Sequence, residues 1–456
     1  MGAATAVAVQ GAAAASAGRG GGGGGGYRRR VGGARSACHT HRARARAEAA
    51  LDALAAAAAA AAGGRGLHVA RIAWAPLRAP LLAPFSIAST TLCNLDNVAV
   101  RVELSDGSVG HGECACLPPV TTEDAARAAS GAEAAAAALA GCSVVDWQEL
   151  SRRLATVLPS HNFASTRAGV EVALLDALAH AARTPLHAAF GGREPRLRTD
   201  ITVPICVPSE AEALARAYAA RGFDTLKTKT GGADGGGDEA ADATGGVRAD
   251  VERMLAIVRG APDARLVVDA NCGYSGRQTE EFLASLDAEG IVLEVLEQPT
   301  ARDDWDALSA ARLSCERRGI KLAVDEQVRD YEDARRVIEG GLADVINIKL
   351  AKSGVGEAMR IAELAKRKKV GLMLGGMVET RLQMGFGACL ASGLGGFDWV
   401  DLDTPLLLAQ DPIAPGGIAP PTNALYDLTQ YDGYGHGMVP LAFGGVPAIG
   451  RAGRAS

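Results

Sequence analysis

The chain has 456 residues, 48% of them hydrophobic and 22% charged, the proportions of a globular protein with room for two or three domains. Nine of its 47 Lys and Arg but only two of its 52 Asp and Glu lie in the first 65 residues, so the remainder carries 38 basic against 50 acidic groups, a net charge of −12. A body that acidic argues against nucleic acid and anionic membrane as partners, and every apolar run is shorter than the ~18 residues of a membrane span.

Residues 1–65 are Ala, Gly and Arg, with seven consecutive glycines from Gly20 to Gly26 and no acid before Glu48. Such a composition fits an organellar transit peptide, with the chloroplast stroma as destination, or a disordered leader on a cytoplasmic protein. From Val69 the texture changes. Val98 to Val102 and Leu104 alternate with polar residues, and Asp106-Gly107 is a hairpin signal before Val109-Gly110-His111-Gly112-Glu113. Thr121 to Asp124 opens an Ala-rich helical stretch, and Arg167 to Ala182 reads as a second, strongly apolar helix. Residues 66–195 are therefore expected to form a separate α+β domain.

A new rhythm begins at Thr199. Ile201 to Ile205 reads as a strand, and Ser209-Glu210-Ala211-Glu212 as a capping box opening a helix. Seven further apolar runs end at Lys229, Asp269, Glu297, Asp325, Lys349, Gly375 and Asp403, with helical patterns between them such as Arg248–Arg259, Glu280–Glu289, Tyr331–Gly340 and Gly356–Lys368. Strands alternating with helices over residues 196–404 predict a parallel (β/α) barrel. The eighth strand has no clear helix after it. Gly231 to Gly246 is a Gly/Ala/Asp insert expected to be a loop at the barrel mouth, and residues 405–456 are expected to return to the first domain.

Active sites of such barrels lie at the carboxyl ends of the strands. There Lys227 and Lys229 alternate with Thr228, so both project from one face of their strand. Crowding of the two ammonium groups is expected to lower the pKa of each, leaving a neutral lysine as general base. Asp269, Glu297 and Asp325 follow at intervals of 28 residues, one βα unit per step, so three carboxylates converge. Uncompensated they repel one another; a divalent cation resolves this, and oxygen ligands without nearby His or Cys suit Mg²⁺. None of the eight histidines lies between His187 and His436, and the nine cysteines contain no CxxC pair. Lys349 ends the sixth strand, across the barrel from the second, whereas Lys352 falls beyond the strand and is expected to point away. Two bases on opposite sides of a bound carbon acid predict racemisation or epimerisation by proton removal on one face and return on the other, with the cation stabilising the enolate. Asp401 and Asp403 share a face, and are expected to aim at the mouth, away from the three metal acids, toward a cation on the substrate.

With these residues in view, the chain resembles the enolase superfamily, its muconate-lactonizing-enzyme-like subgroup, and within that the dipeptide epimerases such as L-Ala-D/L-Glu epimerase. The superfamily is known for lysine or histidine bases working with Mg²⁺. The resemblance covers residues 66–445, and includes the Pro84-Phe85 loop and Gly112-Glu113 of the small first domain. It implies a modified (β/α)7β TIM-like barrel with an α+β capping domain. By the same resemblance Asp269, Glu297 and Asp325 would hold Mg²⁺, Lys229 and Lys349 would be the acid/base pair, and Lys227 would hold the substrate carboxylate or enolate. Asp401 and Asp403 would bind the α-ammonium of a dipeptide, with Thr90 of the capping loop beside the substrate. Epimerases acting on Ala-Glu can carry an arginine in that loop; Ile87 to Leu92 here contains none, so Ala-Glu specificity does not follow. o-Succinylbenzoate synthase, cycloisomerase and N-acylamino acid racemase remain as alternatives on the same scaffold, and a catalytically inactive binding protein as one outside enzymology. Homo-oligomers are common among such proteins, but no interface is legible in the sequence.

Overall fold

The computed structural model describes residues 49–63, 66–231 and 246–444. The stretch read as a leader ends in ordered structure: residues 49–61 form a helix, α1. Leu51, Leu54, Ala55 and Ala58 are buried on it, the spacing of one helical face. An Ala-rich run that looks like low complexity is also an excellent helix former. The transit-peptide reading of residues 1–48 falls outside the described residues, as does the insert over residues 232–245.

The first domain is a three-stranded antiparallel sheet of β1 (Val69–Ile87), β2 (Thr90–Leu104) and β3 (Val109–Cys114). Pro84 and Phe85, expected in a loop, belong to β1, with Phe85 opposite Leu92 and the turn at residues 88–89. Proline is tolerated there because Pro84 falls in the break of register between Pro80 and Phe85, on a strand at the edge of the three-stranded sheet. Against the sheet stand α2 (Ala125–Leu139) and α4 (Ser160–Ala181), with α3 (Trp147–Val157) packed on these two helices. Glycine decides the closest contact: a Cβ on Gly112 would lie 2.0 Å from the Gly169 carbonyl oxygen, so β3 and α4 meet backbone to backbone.

After α5 (Leu186–Ala189) and β4 (Arg196–Arg198), eight parallel strands follow in sequential order. They are β5 (Ile201–Val203), β6 (Thr225–Lys229), β7 (Arg265–Asp269), β8 (Val295–Glu297), β9 (Lys321–Val324), β10 (Val345–Lys349), β11 (Gly371–Gly375) and β12 (Trp399–Val400). The two ends of this order are joined where the Asp200 N–H donates to the Val400 carbonyl at 2.9 Å. The first four connecting helices are α6 (Pro208–Ala220), α7 (Gly246–Gly260), α8 (Gly276–Ala288) and α9 (Trp305–Arg318). After them come α10 (Tyr331–Gly340), the short α11 (Leu350–Ser353) with α12 (Val355–Lys368), and α13 (Arg381–Leu394). β12 is followed by a 3₁₀ turn, Thr404–Leu407, where each of β5 to β11 is followed by an α-helix. The capping box expected at Ser209 does not form: α6 starts one residue earlier at Pro208, whose fixed φ suits the first helical position, and no side chain caps it.

Val267, Val295, Ala323, Val345 and Met373 form an apolar plug inside the ring. Two residues further along the same inward face stand Asp269, Glu297, Asp325, Asn347 and Gly375. A polar layer thus rests on an apolar floor. Beyond the barrel the described residues come back against earlier elements. β13 (Leu425–Asp427) pairs with β4. The Asp176 carboxylate of α4 accepts the backbone N–H of both His436, at 2.8 Å, and His111, at 3.0 Å.

Candidate active site

Lys229 and Asp269 are register partners on β6 and β7, and Lys229 Nζ lies 2.6 Å from Asp269 Oδ2. Glu297 is in register with Asp269 on β8, and Asp325 follows β9 immediately. One oxygen from each of these three carboxylates lies within 4.8 Å of the others, and all three residues are buried. Lys349 Nζ reaches Asp325 Oδ2 at 2.8 Å. β6 and β10 are four places apart in a ring of eight, so Lys229 and Lys349 approach from diametrically opposed walls.

Lys227 is fully buried and bridges more than was expected. Its Nζ lies 2.6 Å from Asp401, 2.8 Å from Glu297 and 3.2 Å from Asp269. Asp401 is therefore linked to the metal acids through one ammonium rather than standing apart from them. Asp403 Oδ2 accepts the Thr202 N–H at 2.6 Å, and its other oxygen is buried without a partner. Asp401 and Asp403 gather with Asp200 into a second cluster of three buried carboxylates. Thr90 lies half-buried beside the hairpin turn, opposite Ile87; the Ile205 N–H, just past the end of β5, donates to the Ser86 carbonyl at 3.2 Å and brings the hairpin to the mouth.

Neighbours set the electrostatics. Burial would raise Asp269, but the Lys229 and Lys227 ammonium groups outweigh it and hold the carboxyl at about 2. Burial likewise opposes Lys349 and Lys352 at Asp325, which is nevertheless held well below the usual range. Glu297 goes the other way, raised by burial and by Asp269. The lysines do not behave as their crowding suggested. Burial would lower Lys227 and Lys349, yet the carboxylates around each raise it, because anions rather than a second ammonium are the nearest neighbours.

A divalent cation fits the first cluster. Its donors are oxygens only, three anions share one small buried space, and Glu297 Oε2 has the Lys227 charge near it without hydrogen-bond geometry. The surrounding shell is set for holding ligands. Asn347 Nδ2 donates to Glu297 Oε1 at 2.6 Å, and the Asp325 N–H donates to Gln298 Oε1 at 3.0 Å. Asn271 donates its backbone N–H to Asp269 Oδ1 at 3.0 Å. Lys352 turns inward, against expectation: its Nζ contacts Asp325 Oδ1 and lies 3.1 Å from the Asn347 carbonyl, because α11 folds the chain back over the strand ends. Asn347 was legible, since it alternates with Ile346 and Ile348 on the face of Lys349. Lys352 and Asp200 carried no such signal.

The first domain reaches the barrel through Glu113, which accepts from the Thr380 N–H at 3.0 Å and from Asn97 Nδ2 at 2.7 Å. Asn97 also donates to the Val378 carbonyl at 3.0 Å, fixing the loop after β11. In that loop Glu379 is buried, and burial together with the Glu113 charge pushes it up to about 8.

Comparison with known proteins gives a consistent result. Residues 210–440 match the family model described as enolase C-terminal domain-like, and residues 72–191 that of the mandelate racemase/muconate lactonizing enzyme N-terminal domain. The L-Ala-D/L-amino acid epimerase of Populus trichocarpa is 44% identical over 367 residues, 80% of this chain and 84% of that protein. The aromatic dipeptide epimerase of Herpetosiphon aurantiacus is 38% identical over 80% of this chain and 98% of its own. The crystal structure of the dipeptide epimerase from Enterococcus faecalis V583, complexed with Mg and the dipeptide L-Leu-L-Tyr, superposes with a TM-score of 0.73 at 27% identity. That match covers 82% of this chain and 99% of that one.

Proposed function

The chain belongs to the mandelate racemase/muconate lactonizing enzyme family of the enolase superfamily, and from that membership we propose that it epimerises dipeptides at the α-carbon of the C-terminal residue. It is an isomerase, and Mg²⁺ is its cofactor, held by Asp269, Glu297 and Asp325. Bound there, the ion supplies concentrated positive charge that stabilises negative charge developing on the substrate carboxylate.

The observation that carries the reading is the placement of Lys229 and Lys349 on opposed walls with the carboxylate cluster between them. One lysine, neutral, takes the α-proton onto Nζ, and the electron pair moves into the carboxylate to form an enolate. The other, as ammonium, returns a proton to the opposite face of the same carbon, inverting it. Lys227, fixed by three carboxylates, directs its charge at the enolate oxygen without itself exchanging protons. Asp401 and Asp403 take the α-ammonium, which favours a free dipeptide over an N-acylated amino acid. At the hairpin turn Ile87 and Leu92 are half-buried and apolar, so the side chain of the second residue meets no fixed cation there.

The test is mass-detected α-proton exchange in D₂O with Mg²⁺ over a library of L,L-dipeptides. Deuterium uptake with inversion, confined to certain second residues, is the expected outcome. An enzyme that binds Mg²⁺ but exchanges none of them would overturn the reading in favour of a synthase or cycloisomerase.

A further inference from the structure

One buried carboxylate at the mouth has no part in the reaction described so far. Asp200 precedes β5 at the seam of the barrel and is 3% exposed. An oxygen of its carboxyl lies within 4.8 Å of one on Asp401 and one on Asp403. Asp401 has the Lys227 ammonium at 2.6 Å, and Asp403 has the Thr202 N–H at 2.6 Å. Asp200 Oδ1 is buried without any hydrogen-bond partner. Three carboxylates this close, out of water and with one ammonium beside them, do not all ionise; they retain a proton, as paired acids in an apolar site do. Asp401 and Asp403 each have a donor that favours the anion. Asp200 has none, so the proton belongs there.

We propose that Asp200 is a positioning residue: it stands behind Asp401 and Asp403 as a neutral acid, donates a hydrogen bond into the pair, and so holds them at the spacing that a substrate ammonium requires. The environment agrees with this, since burial and then the Asp401 and Asp403 charges raise Asp200 well above the usual carboxylate range, against the opposing pull of Lys227. A neutral Asp200 leaves two anions facing the pocket, one of them already shared with Lys227, rather than a trianionic cluster that would capture a metal ion in place of an ammonium. The inference rests on the reading of this pocket as the ammonium site of a dipeptide.

The experiment compares the wild-type enzyme with Asp200→Ala and Asp200→Asn, the latter keeping a donor of similar shape without an ionisable proton. Both variants should lose an infrared carboxylic-acid band that the wild type shows. Asp200→Ala should raise KM for free dipeptides roughly tenfold, the cost of a hydrogen bond to a charged group, with kcat little changed, and Asp200→Asn should restore KM to the wild-type range. Equal KM increases in both variants would mean that Asp200 acts as a third anion, and would overturn the proposal. So would a folded Asp200→Ala with unaltered KM. Calorimetric Mg²⁺ affinity and melting temperature report whether each variant is intact; if Asp200→Ala does not fold, the infrared band and the KM of Asp200→Asn decide. A wild type that turns over no dipeptide sinks the underlying reading and this inference with it, whereas an active wild type with indifferent variants sinks this inference alone.

Discussion

The barrel mouth holds two clusters of three buried carboxylates, each set within 4.8 Å, and they differ in the lysines that meet them. Asp269, Glu297 and Asp325 come from three neighbouring strands and are met by four lysines, 227, 229, 349 and 352. Asp200, Asp401 and Asp403 gather at the seam between the first and last strands, where Lys227 forms an ion pair with Asp401. In the first set, against burial, the lysines hold Asp269 at about 2 and keep Asp325 low, while burial raises Glu297; in the second, burial and then neighbouring carboxylates raise Asp200 and, to about 6, Asp403, while Lys227 overcomes burial to lower Asp401. Residue type does not decide what a buried carboxylate does; the balance of burial and the charges nearest it does.

The largest effects should come from the lysines that divide the two walls. Lys229→Ala and Lys349→Ala should each lower epimerisation by about three orders of magnitude, the contribution of a positioned acid/base group. Each should still exchange the α-proton of one epimer, the one facing the lysine that remains. NMR of the separate L- and D-epimers in D₂O reads this out; loss of both exchanges in both variants would contradict two independent bases.

The comparison itself is broken or sharpened by neutralising one acid in each cluster. Glu297→Gln should weaken Mg²⁺ binding at least roughly tenfold in calorimetry, as losing a ligand of a hard cation must. Asp401→Asn should leave Mg²⁺ affinity nearly intact while raising KM for dipeptides with a free ammonium. Equal losses of Mg²⁺ affinity in both would merge the clusters into one site.

Metal-free stability separates Asp269 from Asp403 by sign. Asp269 is held below its unfolded value, so its contribution is complete above about pH 4 and is lost as pH falls through about 2. Asp269→Asn should therefore melt lower at pH 7, with the penalty fading in acid. Asp403 is raised, so its ionisation costs stability as pH rises from about 4 through about 6. Asp403→Asn should melt a few degrees higher at pH 7 and match the wild type at pH 4. Thermal melts of EDTA-treated protein across that range check both, and shifts of the same sign would contradict the assignment. The smallest effect is expected from Lys352→Met, which removes one of two cations from Asp325 and should lower Mg²⁺ affinity only if Lys352 orients that ligand.

Much of this arrangement was legible because strands alternate. Once Lys229, Asp269, Glu297 and Lys349 are assigned to strand ends, period two puts Lys227 and Asn347 on the same inward face, and the 28-residue spacing fixes neighbouring strands. The hidden parts lack a period. Lys352 reaches the site from a helical turn that folds back, and Asp200 belongs to the site only because barrel closure brings the start of the first strand beside the end of the last. Pro208 displaced the expected capping box by its own backbone preference. Composition alone places the Ala-rich α1 in a leader, because it shows neither the Leu51 and Leu54 face nor what buries it. Lys227 teaches the same lesson: sequence shows it beside Lys229, but not the three carboxylates that surround its ammonium and raise it against burial.

The central claim is proton transfer between two lysines on opposite walls, and the first turnover of an L,L-dipeptide in D₂O tests it most directly. The D-configured product should carry deuterium at the α-carbon, since the proton that inverts the centre comes from a lysine equilibrated with solvent. A product that keeps the substrate's own proton would mean that a single base carries it from face to face, and would contradict the division of labour between Lys229 and Lys349.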